Sequence, residues 1–181
     1  MIKRVFHRYG FGIQSPWAYS LVRNVLFEPL RYYAYDELKA KHAECSRKER
    51  KRNEQLFRIV NHFKPLEIVV AGNCPLSTLD YLQSPVGSTV SQTPTESSAF
   101  YYYGAEALEN VKIKNESPKV SLKGEFEVKD NVVVVIDDIG HSNKSLWEQL
   151  QNQPQATAIF DMGYRGMLVF DPKRVRQVYQ L

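Results

Sequence analysis

Cysteine is scarce in this chain of 181 residues. Cys45 and Cys74 are the whole complement, too few for a disulfide framework. A chain of this length buries about 70% of its unfolded surface and needs no covalent staple. Long apolar runs are missing too. The longest aliphatic stretches are residues 68–71 (IVVA) and 132–136 (VVVVI), against the roughly 20 apolar residues of a bilayer-crossing helix, so no membrane partner is expected. The start, MIKRVFHRYGFG, is basic but has no apolar h-region and no small-residue cleavage site. It does not read as a secretory signal, and the cytoplasm is the expected compartment. Internal repeats and low-complexity segments are absent. Hydrophobic residues at 43% and charged residues at 24% are ordinary globular values and exclude wholesale disorder. One domain with an N-terminal appendage is the expectation.

The net charge of +4 conceals an asymmetry. Residues 1–64 carry 14 Lys and Arg against 6 Asp and Glu, while residues 65–181 carry 10 against 14. The densest basic run is Arg47-Lys48-Glu49-Arg50-Lys51-Arg52. A phosphate-rich partner is one reading of it. A solvated helix face or a mobile connection is preferred, because no aromatics interleave and no nucleic-acid-binding motif surrounds it.

Ser15-Pro16 has the form of a helix start, with Ser at N-cap and Pro at N1. Trp17, Ala18, Leu21, Val22, Val25 and Leu26 follow at helical spacing, and Pro29 should end the helix. Tyr32, Tyr33 and Tyr35 form an aromatic cluster before a polar helical stretch through the basic run. Leu56, Phe57, Ile59, Val60 and Phe63 make a second apolar stripe, stopped by Pro65. Beyond it the period changes. Residues 66–71 read as a buried strand ending at Gly72-Asn73, and Pro75 opens a short helix. Residues 89–93 form a weak strand. A third helix is expected to carry Ala99, Phe100, Tyr103 and Ala107. Residues 111–114 form a short strand, and 115–130 are charged, with weak alternation at Val120/Leu122 and Phe126/Val128. The strongest strand is 132–136, apolar on both faces and ending in Asp137-Asp138. Ser142 is expected to cap a helix with Leu146, Trp147 and Leu150. Residues 157–160 and 167–170 are strands of a closing hairpin around Gly163 and Gly166.

Strand and helix alternate from residue 66 onward, which implies an α/β fold with a mostly parallel open sheet and an antiparallel edge. Ligands of such sheets lie outside the carboxyl ends of the strands, where the strand order switches. The candidate site is therefore the turn 71–75 together with Asp137, Asp138 and His141.

Four stretches resemble class I S-adenosylmethionine-dependent methyltransferases, in particular a bacterial O-methyltransferase-like group. They are Tyr9-Gly10-Phe11-Gly12-Ile13-Gln14-Ser15-Pro16-Trp17; Tyr32-Tyr33-Ala34-Tyr35 with residues 55–61; the strand and turn 68–78; and residues 132–139 with Trp147 and the strand pair 159–170. The resemblance implies a shortened Rossmann-like methyltransferase fold over 65–181, with residues 1–64 as a helical extension. The extension's apolar stripes would cover the sheet or a partner subunit, which leaves a homo-oligomer open.

Three departures from the family's pattern shape the functional reading. The turn after the first strand is glycine-rich in the family, because glycines let the backbone approach the cofactor. Here it reads Val70-Ala71-Gly72-Asn73-Cys74-Pro75-Leu76-Ser77-Thr78. It keeps Gly72 and the Ser-Thr pair but loses the acidic residue and the later glycines. Gln92 stands near the place of the carboxylate that holds the ribose, and a neutral amide lacks the charge-assisted strength. Residues 116–130 are too few for the family's helix–strand–helix unit, so the strand bearing a substrate or metal carboxylate is expected to be missing. The alternative is that residues 132–141 are that strand, since Asp138-Ile139-Gly140-His141 loosely echoes its motif, but Trp147 and the closing hairpin follow at the spacing of the family's fifth strand.

An active enzyme would use Gly72, Asn73 and Cys74 toward the methionine end of S-adenosylmethionine, with Gln92 on the ribose and Asp137 also in the cofactor group. Asp138 and His141 would act on a small-molecule substrate. Adjacent residues of an extended chain face opposite sides, so Asp137 and Asp138 are not expected to act at one point. No third ligand accompanies them, and no metal is expected. Cys74 at a helix N-terminus would favour a thiolate, but no paired base is recognisable. The preferred reading is a degenerate family member without robust catalysis, serving as a scaffold or regulatory protein partner. An active small-molecule O-methyltransferase is the alternative, and a nucleic-acid-associated protein using the basic N-terminal third ranks last.

Overall fold

The computed structural model describes residues 7–95, 98–107, 111–113, 120–122, 124–126 and 131–181. Expectations on Lys114 and Val128 lie outside the described residues. The chain divides into two compact units, one of Met1–Leu66 with Pro75–Val90 and one of Glu67–Cys74 with Ser91–Leu181. The segment after the first turn thus groups with the N-terminal helices.

The first unit is helical. Helix α1 (Pro16–Leu21) starts as its sequence dictates: Ser15 Oγ accepts from the Ala18 N–H at 3.3 Å, and Pro16 occupies the first turn. It continues into a π-helical turn, Val22–Leu26, ending at Phe27 before Pro29. The buried Arg58 takes up carbonyls released at that end. Its Nε donates to Val25 O at 2.7 Å and its Nη2 to Leu26 O at 3.2 Å, while Gln55 Nε2 donates to Leu26 O at 3.0 Å. A cation at a helix C-terminus also suits the helix dipole. Helix α2 spans Ala34–Lys41. Helix α3 spans Arg47–Phe63, so the basic run is its opening. Ser46 and Glu49 form a reciprocal capping box, and Lys64 closes the helix in the left-handed region at φ 48°. Helix α4 spans Leu76–Gln83. Tyr35, Leu38, Phe57 and Tyr81 form a shared apolar cluster of the unit. The Tyr35 and Phe57 rings meet edge-on at 5.1 Å. On α3 and α4, Thr78 Oγ1 donates to Asn53 Oδ1 at 3.2 Å.

The second unit is built on a seven-stranded sheet of order β10-β8-β9-β7-β3-β1-β2. The strands are β1 (Glu67–Ala71), β2 (Thr89–Ser91, which begins in the first unit), β3 (Phe100–Tyr103), β7 (Val132–Asp137), β8 (Ala158–Asp161), β9 (Arg165–Phe170) and β10 (Gln177–Gln180). β1, β3 and β7 run parallel, as do β8 and β10, and β9 is antiparallel to both of its neighbours. β4 (Val111–Ile113), β5 (Val120–Leu122) and β6 (Gly124–Phe126) form a separate three-stranded antiparallel sheet between β3 and β7 in the chain. The architecture is α/β with a mostly parallel sheet, as the alternation implied.

One core cluster gathers Val132, Val134, Ile136 and Leu168 with Leu146, Trp147 and Leu150 of helix α5 (Lys144–Gln151). Period-two alternation puts the β7 members on one face of the sheet. Trp147 lies against Gly166, where an added Cβ would come within 2.3 Å of the indole ring.

Several elements differ from expectation. Residues 100–103 are a strand where a helix was expected. Phe-Tyr-Tyr-Tyr is buried at every position, and aromatics suit such a strand. A short apolar run carries no decisive period of its own. β3 stands between β1 and β7, so the shortened middle does not remove a strand from that place in the sheet. The N-cap of α5 is Asn143, with no side-chain capping bond of its own, and Ser142 turns instead toward Asp138. The β8–β9 hairpin is present but does not close the chain, because β10 follows and pairs with β8.

Candidate functional site

Three loops meet at the carboxyl ends of β1, β3 and β7. The turn after β1 bends at Gly72, whose φ is +81°, a conformation that favours glycine. The loop after β3 is bonded straight onto this turn. Asn73 N–H donates to Ala105 O at 2.7 Å, and Gly104 N–H donates to Ala71 O at 2.8 Å. The approach is close on both sides. A Cβ on Gly72 would stand 2.8 Å from Ala105 O and 3.0 Å from Ala107, and a Cβ on Gly104 would stand 2.1 Å from Asn73 O. Two glycines therefore let two backbones touch each other.

Asn143 ties the third loop in. Its side chain is fully buried. Nδ2 donates to Gly104 O at 2.6 Å and to Asp137 O at 2.8 Å, and Oδ1 accepts from Ala107 N–H at 3.0 Å. The carbonyls belong to the loop after β3 and to the last residue of β7, so one amide holds both strand ends. Each bond would leave a buried backbone group unpaired if lost, a cost of about 1–3 kcal/mol apiece. Ser142 adds a parallel link: its Oγ accepts from Glu106 N–H at 3.1 Å and donates to Asp138 Oδ2 at 2.7 Å.

Asp137 ends β7 with its carboxylate buried. Arg165 of β9 donates to both oxygens, Nε to Oδ1 at 2.5 Å and Nη2 to Oδ2 at 2.8 Å, and Tyr102 Oη donates to Oδ2 at 3.0 Å. Burial, then the negative charge of Asp137, raise the Tyr102 hydroxyl well above its ordinary value. The same two causes push the Cys74 thiol up to about 12. The thiolate expected at this turn is thus overturned. Desolvation and a nearby carboxylate outweigh any favourable helix end.

The expected site residues are distributed as follows. Gly72, Asn73, Cys74, Asp137 and Asp138 all lie at this carboxyl edge. Asp138 adopts φ 56°, and its carboxylate also accepts from Ser142 N–H at 3.1 Å. His141 is exposed and donates its backbone N–H to Asp138 O at 3.1 Å. Gln92 is exposed just beyond the end of β2. Asn143, Arg165 and Tyr102 complete the cluster without having been singled out in the sequence. The one signal for Arg165 is its position in a strand otherwise apolar from Met167 onward.

The turn is packed against the loop after β3. The inner face of Gly72 is covered by Ala105 and Ala107, and the Asn73 N–H is engaged by Ala105 O. Among the described residues no group of three or more His, Cys, Asp and Glu side chains could hold a metal ion, and no helix is long and apolar enough to cross a membrane. Asp137 is a cross-strand anchor whose two oxygens accept from Arg165 and Tyr102, and Asp138 is oriented by Ser142. No family model matches the chain, and neither the curated proteins nor the solved structures contain a significant match.

Proposed function

We propose that the chain is a degenerate relative of class I S-adenosylmethionine-dependent methyltransferases, keeping a shortened Rossmann-like fold and serving as a scaffold or regulatory partner of another protein. The observation that carries this reading is the close mutual packing of the loops after β1 and β3, Gly72 against Ala105–Ala107 and Gly104 against Asn73. In an open α/β sheet that crevice is where a ligand lies, and here the loops after β1 and β3 are hydrogen-bonded to each other across it. Gln92, exposed and uncharged in place of a ribose-binding carboxylate, agrees with it.

Isothermal titration and thermal shift with S-adenosylmethionine test the reading. The expected result is no heat and no change in Tm at millimolar ligand. Saturable binding at micromolar strength would overturn it in favour of an active small-molecule O-methyltransferase, with Asp138 and His141 as the residues to examine on the substrate side.

A further inference from the structure

We infer that Cys45 is a site of reversible oxidation by peroxide, the oxygen it gains as a sulfenic acid being held by Arg50 and Tyr81. Cys45 is half-buried in the turn between α2 and α3, where its N–H donates to His42 O at 3.2 Å. Contacts within the first unit tie this turn to two helices. His42 is buried, and its Nε2 stands 2.6 Å from Oδ2 of Asp80, the residue beside Tyr81 on α4. Arg50 of α3 reaches back, its Nη2 donating to Cys45 O at 3.1 Å.

Two polar atoms are left over here. Tyr81 is 1% exposed, and its Oη has no hydrogen-bond partner among the described residues. The buried Nε of Arg50 has none either. Glu54, Arg50 and Cys45 all act electrostatically on the Tyr81 hydroxyl, so the four groups are neighbours. Burial, then the negative charge of Glu54, push that hydroxyl up to about 12, and it keeps its proton to donate. A guanidinium N–H only donates. What both groups lack is therefore an acceptor, and a buried donor left without one is costly. A thiol sulfur accepts weakly. An oxygen bonded to that sulfur accepts well, and the turn itself delivers it. A free anion would bring its full charge up to Glu54, whereas a sulfenic acid is neutral. In the oxidation the thiolate attacks one peroxide oxygen, and the S–O bond forms as the O–O bond breaks. Sulfur loses two electrons, the peroxide gains them, and the departing hydroxide takes the thiol proton to leave as water. A small dithiol reverses the step: one sulfur displaces the oxygen as water, and the second closes a disulfide and frees Cys45.

The test treats the full chain with stoichiometric hydrogen peroxide near neutral pH, traps sulfenic acid with dimedone and reads each cysteine by peptide mass spectrometry. Tm is followed in parallel without dimedone. Cys74, whose thiol is pushed up to about 12, is the internal control. Cys45 should take the label at least about 10-fold faster than Cys74. Oxidation should raise Tm by about 4 °C, because two buried donors gain a partner, and dithiothreitol should undo the rise. Tyr81→Phe removes one orphaned donor. It should leave Tm of the reduced chain unchanged or raised, and should roughly halve the gain on oxidation. Arg50→Lys keeps the charge but has no Nε–H, and should cut the gain likewise. Labelling of Cys45 no faster than that of Cys74 would overturn the inference. So would oxidation that leaves Tm unchanged or lowers it, or a gain that both variants keep in full. A lower Tm for reduced Tyr81→Phe would mean that the hydroxyl already has a partner, a bound water included, and would overturn it as well.

Discussion

Asp137 and Arg165 face each other in the antiparallel register of β7 and β9, both under a tenth exposed, with the guanidinium bridging both carboxylate oxygens. The pair sits at the carboxyl end of the central strand, where an α/β enzyme would keep an available acid. Its use here is to join β7 to β9, with Tyr102 of β3 as a third member.

That geometry predicts a strong asymmetry between single and double variants. Arg165→Met leaves a buried carboxylate uncompensated, and Asp137→Asn leaves a buried guanidinium so. Each should cost about 3–5 kcal/mol in urea unfolding. The double variant removes both charges and should recover more than half of the summed loss. Additive losses in the double-mutant cycle would mean that the two groups do not depend on each other.

The packing of Gly72 can be separated from its backbone conformation by a control within the same chain. Gly87 also has positive φ, +67°, but no atom lies within 4 Å of a Cβ placed there. Gly87→Ala should cost only the left-handed strain, about 1–2 kcal/mol. Gly72→Ala carries the same strain plus contact with Ala105 O at 2.8 Å, and should lose at least about 1 kcal/mol more. Equal losses would show that the loop after β3 yields easily, and the crevice could then open to a ligand.

What the sequence made legible divides along physical lines. Ser15-Pro16, the stripe from Leu56 to Val60, and the valine run of β7 declare themselves because capping and periodicity are local. The buried strand β3 was hidden, since four consecutive aromatics satisfy a helix stripe and a two-faced strand equally. Gln177–Gln180 was hidden for the opposite reason: its polar, exposed residues show no pattern, and pairing with β8 alone makes it a strand. At the site, Gly72 and Asp137 were visible as types of residue at strand ends. Their partners were not. Arg165 is 28 residues from Asp137 and Asn143 is 39 from Gly104, and no spacing rule reaches across a sheet to name such pairs.

Cys74 gives a prediction in pH. Its thiol is raised to about 12, by burial and then by the charge of Asp137, whereas in the unfolded chain a thiol ionises near about 8.5. Between those values the folded state keeps a proton that the unfolded state has released. Unfolding then releases a proton, so the thiol's contribution is intact below about pH 8.5 and is lost as pH rises toward 12. Cys74→Ser has no such titration. Its urea midpoint should therefore decline less steeply than that of the unsubstituted chain between pH 8.5 and 10.5, because the buried tyrosines titrate in both and cancel in the comparison. Iodoacetamide should also label Cys74 far more slowly at pH 8 in the native chain than in urea, because only the thiolate attacks. Parallel midpoint curves, or native labelling as fast as in urea, would place an ionised thiol at this turn and return Cys74 to the candidates for nucleophilic chemistry.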